Sequence, residues 1–513
     1  MRTIDAILIE GFQARQRDLP EQALLRFEEA LALEPGDPGI RLEVARTNLD
    51  LGLRHEAIAQ LRAMGVDAGA SEDDAEVALE LARLWTRAGG VEEALALYRA
   101  VPRGNLHKPQ AVLEAVLLLE RTHRLDAARA EVAQHPHLKS RRLPDPTAAL
   151  ALAVLDEREG DRETASARLA RVWRELPPSE LTLECGYRLA RLWDRMGRPR
   201  EARGVLEQCK QVERTQMQAA ALEQHLSARR ASDRATLREL PADWFASRPA
   251  VRGAQRVMVL GHPRSGTSLM GRRLSQAGDA VWVDECPAFS VLARKLAMDQ
   301  GQDGARFADY LGSLGPEVTE RFTQTYLERI AQQLPEAGDV SDARLIDKNP
   351  GLSNSLPALN RLLPGSAWVY LERDPRDVAV SCYFQRMGAT PLGWACQTLD
   401  GALEAVLHTA SLWGAVRERL HASQAVVVRY ETLVETPDTE VTRVLNELGW
   451  QGNATSAGAD ASKEPAVVHS PTYAEVRRPV DARAVERWRR HADVFGKFTA
   501  EHSQAIAARG YSA

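Results

Sequence analysis

The stretch "RVMVLGHPRSGTSLMGRRLSQAG", Arg256 to Gly278, decides how the chain is read. A short apolar run breaks into a loop with two glycines, a proline and an arginine, and a helix-like segment follows. The pattern predicts a buried strand, a tight turn and a helix opening near Thr267. Backbone N–H groups in such a turn and at such a helix start face one point and attract an anion. The usual phosphate-binding loop needs Gly, four residues, then Gly-Lys-Ser/Thr. Gly261 and Gly266 keep that spacing, but Thr267 stands where the lysine belongs. The anion donors on offer are therefore Ser265, Gly266, Thr267 and Ser268, with Arg264 as a fixed positive charge in a planar fork.

Downstream the pattern recurs. "SAWVYLER", Ser366 to Arg373, reads as a second strand leading into the loop and helix "DPRDVAVSCYFQRM". "AVVVRYETL", Ala425 to Leu433, reads as a third, before the helical "DTEVTRVLNELG". Strand, loop and helix three times over predict a parallel sheet with crossover helices. Ligands of such sheets sit at the carboxyl ends of the strands. There Arg373, Arg376 and Ser381 surround a second helix start, a second anion site on the same edge. Two separated anion sites suit a ligand phosphorylated at two ends.

"PRSGTSLM" resembles the 5′-phosphosulfate loop of sulfotransferases, and "RDPRDVAVS" resembles their 3′-phosphate motif. The form with arginine in the loop is similar to the tyrosylprotein sulfotransferases and to bacterial repeat-linked sulfotransferases. The similarity runs from about Gln255 to Phe498. It implies 3′-phosphoadenosine 5′-phosphosulfate (PAPS) as sulfuryl donor, adenosine 3′,5′-bisphosphate (PAP) as product, no metal, and a P-loop-like α/β fold. It also implies roles residue by residue. Glu285 in "VWVDECPAF" falls at the place of the family's base, with Asp284 beside it and His262 as runner-up. Lys348 in "LIDKNPG" stands where a lysine stabilises the bridging oxygen, and Arg264 lies near the transferring group. Tyr430 in "RYETLVETP" would contact the cofactor, and Arg373 and Ser381 would clamp the 3′-phosphate. "SPTYAEVRRPVDARAVERW", from Ser470, resembles the segment that closes over PAPS. It puts Thr472 in place of a functional serine and Arg487 in place of a cofactor-binding lysine. One departure concerns the 3′ site: four residues after Ser381 the expected arginine is Gln385, with Arg386 adjacent.

The first half has a different texture, rich in Ala, Leu, Glu and Arg, and it repeats. Ala23, Ala57, Ala94, Ala127, Ala165 and Ala202 open similar blocks at spacings of 34, 37, 33, 38 and 37 residues. Gly52, Gly89, Gly160 and Gly197 precede four of these alanines by five positions. A glycine there ends one helix, and a small alanine lets the next pack closely against it. Residues 5 to 225 thus resemble a tetratricopeptide repeat array, whose unit is a helical hairpin of about 34 residues. The expected architecture is an all-α solenoid over 1–228, a linker over 229–250 and an α/β sulfotransferase domain over 251–513.

The 513 residues exceed what one core needs, and a net charge of -5 speaks against nucleic acid as partner. Five scattered cysteines fit reduced thiols in a cytoplasm, and no apolar run is long enough for a membrane span. The resemblance makes a peptide or protein hydroxyl the expected acceptor, engaged by the repeats, with a homodimer also open. A small metabolite or glycan acceptor, or a scaffold around an inactive domain, stays as an alternative. A kinase conflicts with Thr267 at the lysine position.

Overall fold

The computed structural model describes residues 3–16, 19–64, 72–135, 145–299, 304–332, 334, 343–452 and 482–512. The chain separates into two compact units. One comprises Met1–Pro177 with Glu328–Gly338 and Pro465–Val468, the other Pro178–Leu327, Asp339–Glu464 and His469–Ala513.

The first unit is built from helical hairpins. They are α1 (Ile4–Gln16) with α2 (Pro20–Leu33), α3 (Pro38–Asp50) with α4 (Arg54–Arg62), and α5 (Glu72–Arg87) with α6 (Val91–Ala100). Next come α7 (Lys108–Arg121) with α8 (Leu125–Ala133) and α9 (Pro146–Glu159) with α10 (Arg162–Glu175). The glycines predicted to end helices do so: Gly52, Gly89 and Gly160 have φ of +71°, +80° and +89°. In the fourth hairpin His123 takes that left-handed place, with φ of +61°. This corrects the repeat register by one residue. Ala128, five positions after His123, is fully buried, whereas Ala127 is half-buried. A histidine is one of the few side chains found in this region of backbone space, so the missing glycine hid the register.

The second unit begins with a sixth hairpin of the series, α11 (Glu180–Arg195) and α12 (Pro199–Gln216), followed by α13 (Ala219–Glu239). Residues 229–239 of the expected linker are thus the end of a helix. The sheet follows: β1 (Arg256–Gly261), β2 (Val281–Asp284), β3 (Leu345–Lys348), β4 (Ser366–Glu372) and β5 (Val426–Arg429). All neighbours are parallel in the order β2-β3-β1-β4-β5. The strands are nearly continuous apolar runs because a parallel sheet is covered on both faces. In β1, Val257 to Leu260 are all buried. The third expected strand is shorter than read: after Arg429 the residues "YETL" belong to a helix, Tyr430–Glu435.

Between the strands lie α14 (Thr267–Gly278), α15 (Ala288–Asp299), α16 (Gly304–Gly312), α17 (Pro316–Ala331) and α18 (Leu356–Leu362). Then follow α19 (Pro375–Tyr383), α20 (Pro391–Ala395), α21 (Leu399–Arg417), α22 (Tyr430–Glu435), α23 (Pro437–Leu448) and α24 (Ala492–Ala507). The helix after the glycine loop starts at Thr267, as its sequence predicts. Because β1 pairs with β3 on one side and β4 on the other, every strand end that carries a site residue emerges at one sheet edge.

The corrected register is open to test by substitution. Ala128→Leu is expected to cost about 1–3 kcal/mol by overpacking, and Ala127→Leu far less. Thermal unfolding of the two variants measures this, and equal shifts would return the packing position to Ala127.

Candidate functional site

The phosphate loop is shaped by close approach. Gly261 has φ of +140°, and a Cβ there would sit 2.7 Å from Ser265 Oγ and 2.9 Å from the Leu371 carbonyl. Gly266 has φ of +101°, and a Cβ would lie 2.5 Å from Cδ2 of Tyr430. Only glycine fits at either place. Ser353, which sequence reading missed, accepts from Gly261 N at 2.8 Å and donates to Gly261 O at 2.9 Å. Ser265 Oγ closes the turn onto the His262 carbonyl at 2.7 Å. Ser265, Thr267 and Ser268 are all buried at the start of α14.

His262 walls the loop from below. Burial lowers its pKa to about 4 against the opposing bond to Pro263. The neutral ring therefore donates from Nδ1 to the Pro263 carbonyl at 2.8 Å. That arrangement suits a wall rather than a base.

The second anion site joins the first directly. Arg264 Nε donates to Ser381 Oγ at 3.0 Å, and Arg373 Nη1 donates to the Arg264 carbonyl at 2.9 Å. The Arg373 guanidinium lies 4.2 Å from the centre of the Tyr430 ring, whose other neighbour is Gly266. Tyr430 thus packs between the two loops. Arg376 departs from its expected role. It is buried, held by Asp374 through Nε at 3.0 Å and Nη2 at 2.8 Å, and stacked 3.7 Å over Trp488. Its charge is spent on structure. Asp374 also caps α19, and its own N–H is held at 3.0 Å by Glu431, the glutamate of the "YE" pair.

Arg386 has its partners in the repeat series. Arg386 Nε donates to Glu213 at 2.7 Å and Nη2 to Glu180 at 2.6 Å, so this arginine is committed to α11 and α12. Arg487 likewise donates from Nε to Asp194 at 2.9 Å, beside the Phe384 ring. The structure pairs Arg487 with a carboxylate of α11. Thr472 lies outside the described residues.

Across β1, the ends of β2 and β3 meet. Lys348 is fully buried, and its Nζ is 2.5 Å from Asp284 Oδ1 and 2.6 Å from Glu285 Oε1. Its stem runs beneath α14, where a Cβ on Gly271 would come within 3.3 Å of it. Asp284 is buried, while the Glu285 side chain is 45% exposed. One carboxylate anchors the ammonium; the other reaches solvent. Glu285 adopts φ of +55° and Arg264 +75°, costly for residues with a Cβ. The peptide of Glu285 is held in place by a 2.8 Å bond from its N–H to the Lys348 carbonyl. Both strained residues stand at the same sheet edge.

Asp347, on the opposite face of β3, was not read from the sequence. Burial raises its pKa to about 7, outweighing the Tyr326 hydrogen bond and the Lys348 charge. Tyr326 donates to its Oδ2 at 2.8 Å.

These loops, strands and helices make up an α/β domain in which the Gly-rich turn and the loop after β4 are hydrogen-bonded together, with an acid–ammonium pair at the same sheet edge. Residues 256–453 match the model of the sulfotransferase family. The second half of the chain carries a sulfotransferase domain. An uncharacterised protein of Aquifex aeolicus (strain VF5) is 25% identical over 248 residues, covering 46% of this chain and 30% of that protein. Nodulation protein NoeE of Sinorhizobium fredii (strain NBRC 101917 / NGR234) is 28% identical over 262 residues, covering 45% of this chain and 59% of NoeE. The chain thus spans less than two thirds of either relative. Among solved structures, the sulfotransferase domain of the Synechococcus PCC 7002 olefin synthase is 17% identical with a TM-score of 0.29. That match covers 46% of this chain and 86% of that one. A tetratricopeptide repeat protein of Parabacteroides merdae ATCC 43184 is 16% identical with a TM-score of 0.30, covering 40% and 78%. No group of three or more metal-ligating side chains occurs among the described residues, and none of their helices is long and apolar enough to cross a membrane.

Asp347 makes stability pH-dependent in a defined direction. Its folded pKa lies above the unfolded value near 3.8. Between the two the folded chain keeps a proton that the unfolded chain has released, so stability falls as pH rises from about 4 to about 7. Asp347→Asn lacks this loss. Thermal midpoints should favour the variant progressively more between about pH 5 and pH 8, and a constant difference would show an ordinary carboxylate.

Proposed function

We propose that this protein moves a sulfuryl group from PAPS to a hydroxyl acceptor, with a peptide or protein as the acceptor and tyrosine as the favoured residue. The observation that carries the reading is the Glu285–Lys348 pair, 2.6 Å apart, at the same sheet edge as the phosphate loop. A solvent-reaching carboxylate beside a buried ammonium supplies the base and the electrophile that sulfuryl transfer asks of a protein.

The residues fit a ligand with anions at two ends. Gly266 lets the Tyr430 ring close onto the loop where a Cβ would lie 2.5 Å from it, and the N–H groups opening α14 face the anion position of the turn. Nε of Arg373 is buried and has no hydrogen-bond partner among the described residues. Bound PAPS supplies an activated sulfuryl group. The chain then does the rest. Arg373 and Ser381 hold the 3′-phosphate, and Ser265, Gly266, Thr267 and Ser268 hold the 5′-phosphosulfate. Arg264 neutralises charge on the transferring group. Glu285 takes the acceptor proton, and Lys348 turns from Glu285 to the developing charge on the bridging oxygen. Asp284 keeps the ammonium oriented through that exchange. The repeat hairpins support a protein acceptor, since such arrays commonly hold peptides. The five cysteines are buried, in keeping with a cytoplasmic setting.

Calorimetric titration in metal-free buffer is expected to show micromolar binding of PAP and none of ATP. Glu285→Gln should abolish transfer and leave PAP binding within a few fold. Arg373→Ala should weaken PAP binding by roughly 1.5–3 kcal/mol, the value of a charge-assisted hydrogen bond. Full turnover in the glutamine variant would remove Glu285 from the base role, and absence of PAP binding by the wild type would overturn the reading.

A further inference from the structure

Asp194, on α11, is a buried carboxylate from the repeat series that belongs to the same compact unit as the phosphate loop. Three residues of one short segment converge on it. His491 Nε2 donates to Oδ1 at 2.9 Å, Arg487 Nε donates to Oδ2 at 2.9 Å, and Arg490 Nη1 donates to the Asp194 carbonyl at 2.9 Å. Burial by itself raises the Asp194 pKa, but these donors outweigh it and bring it down to about 2. His491 is neutral. Its Nδ1 accepts from Arg203 of α12 at 3.1 Å, which leaves the proton on the nitrogen facing Asp194.

The other end of the same segment is tied to the nucleotide site. Glu486 N and Trp488 N each donate to Asp377 of α19 at 2.8 Å, and Arg373 Nη2 donates to the Ala484 carbonyl at 2.6 Å. Residues 484–491 hold turn residues and one short 3-10 helix, Arg487–His491, so side-chain ties at the two ends set their path. The hairpin also grips the far end of α19. Lys210 of α12 lies 4.7 Å over the Tyr383 ring and donates to the Cys396 carbonyl at 2.7 Å. Arg386, three residues past the end of α19, is also held by α11 and α12, and Ser381, the partner of Arg264, lies in the last turn of that helix.

We propose that Asp194 is a positioning residue for the donor nucleotide. It fixes the 484–491 strap, the strap fixes Arg373, and Arg373 is presented to the 3′-phosphate with its rotamer already set. The last hairpin of the repeat series is then a working part of the transferase and not only an acceptor platform. This inference rests on the PAPS reading of the site. Its physical basis is preorganisation: an arginine ordered before binding loses less entropy when the anion arrives.

The test uses the full chain. Asp194→Asn keeps the size of the side chain and removes its charge. The variant is expected to bind PAP about tenfold more weakly and to raise KM for PAPS to match, with kcat and the acceptor KM within about twofold. His491→Leu, which removes one donor and leaves the carboxylate, should shift PAP affinity the same way. The double variant should be no weaker than the weaker single one, because both act through one strap. As a control, Glu120→Gln breaks the buried Arg158 pair of the first unit and should lower thermal stability with PAP affinity unchanged. Hydrogen exchange over residues 482–491, measured without nucleotide, should accelerate in Asp194→Asn. Wild-type PAP affinity in both strap variants would overturn the proposal. If the wild type itself binds no PAP, the PAPS reading falls. Unchanged exchange over 482–491 would then sink the tether independently.

Discussion

Arg373 is the side chain on which the rest of the site hangs. It leaves β4 nearly buried, and one nitrogen holds the Arg264 carbonyl of the phosphate loop while another holds the Ala484 carbonyl of the strap. Its flat face lies on Tyr430, and Tyr430 in turn fills the space above Gly266. Loop, strap and β5 end are therefore brought together by one guanidinium. Lysine could offer the charge but not donors fixed in a planar fork with a stacking face. The Nε of Arg373 is buried and has no hydrogen-bond partner among the described residues.

Strain marks the same place. Arg264, Glu285 and Glu486 each sit in left-handed backbone space without being glycine, and each is clamped by specific bonds. The cost of such conformations is of order 1–2 kcal/mol per residue. It is met by the close packing of a parallel sheet edge, where Lys348 and Asp284 are buried together beneath α14. A buried ammonium needs carboxylate company, because removing one partner would leave an uncompensated charge. The consequence is a carboxylate and an ammonium that arrive already paired.

The repeat series obeys simpler rules. Each hairpin needs a left-handed residue to turn the chain and a small residue to let the next helix approach. Gly52, Gly89, Gly160 and Gly197 announced this in sequence, and the alanines five positions on are buried as expected. His123 shows the limit of reading by letter. It serves the same backbone function as glycine, so the register around Ala127 and Ala128 became visible only in φ and burial.

Local pattern determined a great deal by itself. The Gly-rich turn after β1, the helix beginning at Thr267 and the parallel sheet follow from residues adjacent in the chain, where turn chemistry and apolar periodicity act over a few positions. Lys348 and Glu285 were legible through resemblance, and their contact was not, since 63 residues separate them. Arg376, Arg386 and Arg487 share a feature hidden from the sequence. An arginine near an anion motif looks free in sequence, and only tertiary structure reveals the carboxylates, Asp374, Glu213 and Asp194, that claim it. Asp194 was the least visible of all. Nothing in its helix distinguishes it, and its meaning comes from a segment almost 300 residues later that folds back to bury it. Charge is written in the sequence; which charges neutralise one another is decided by where the chain returns.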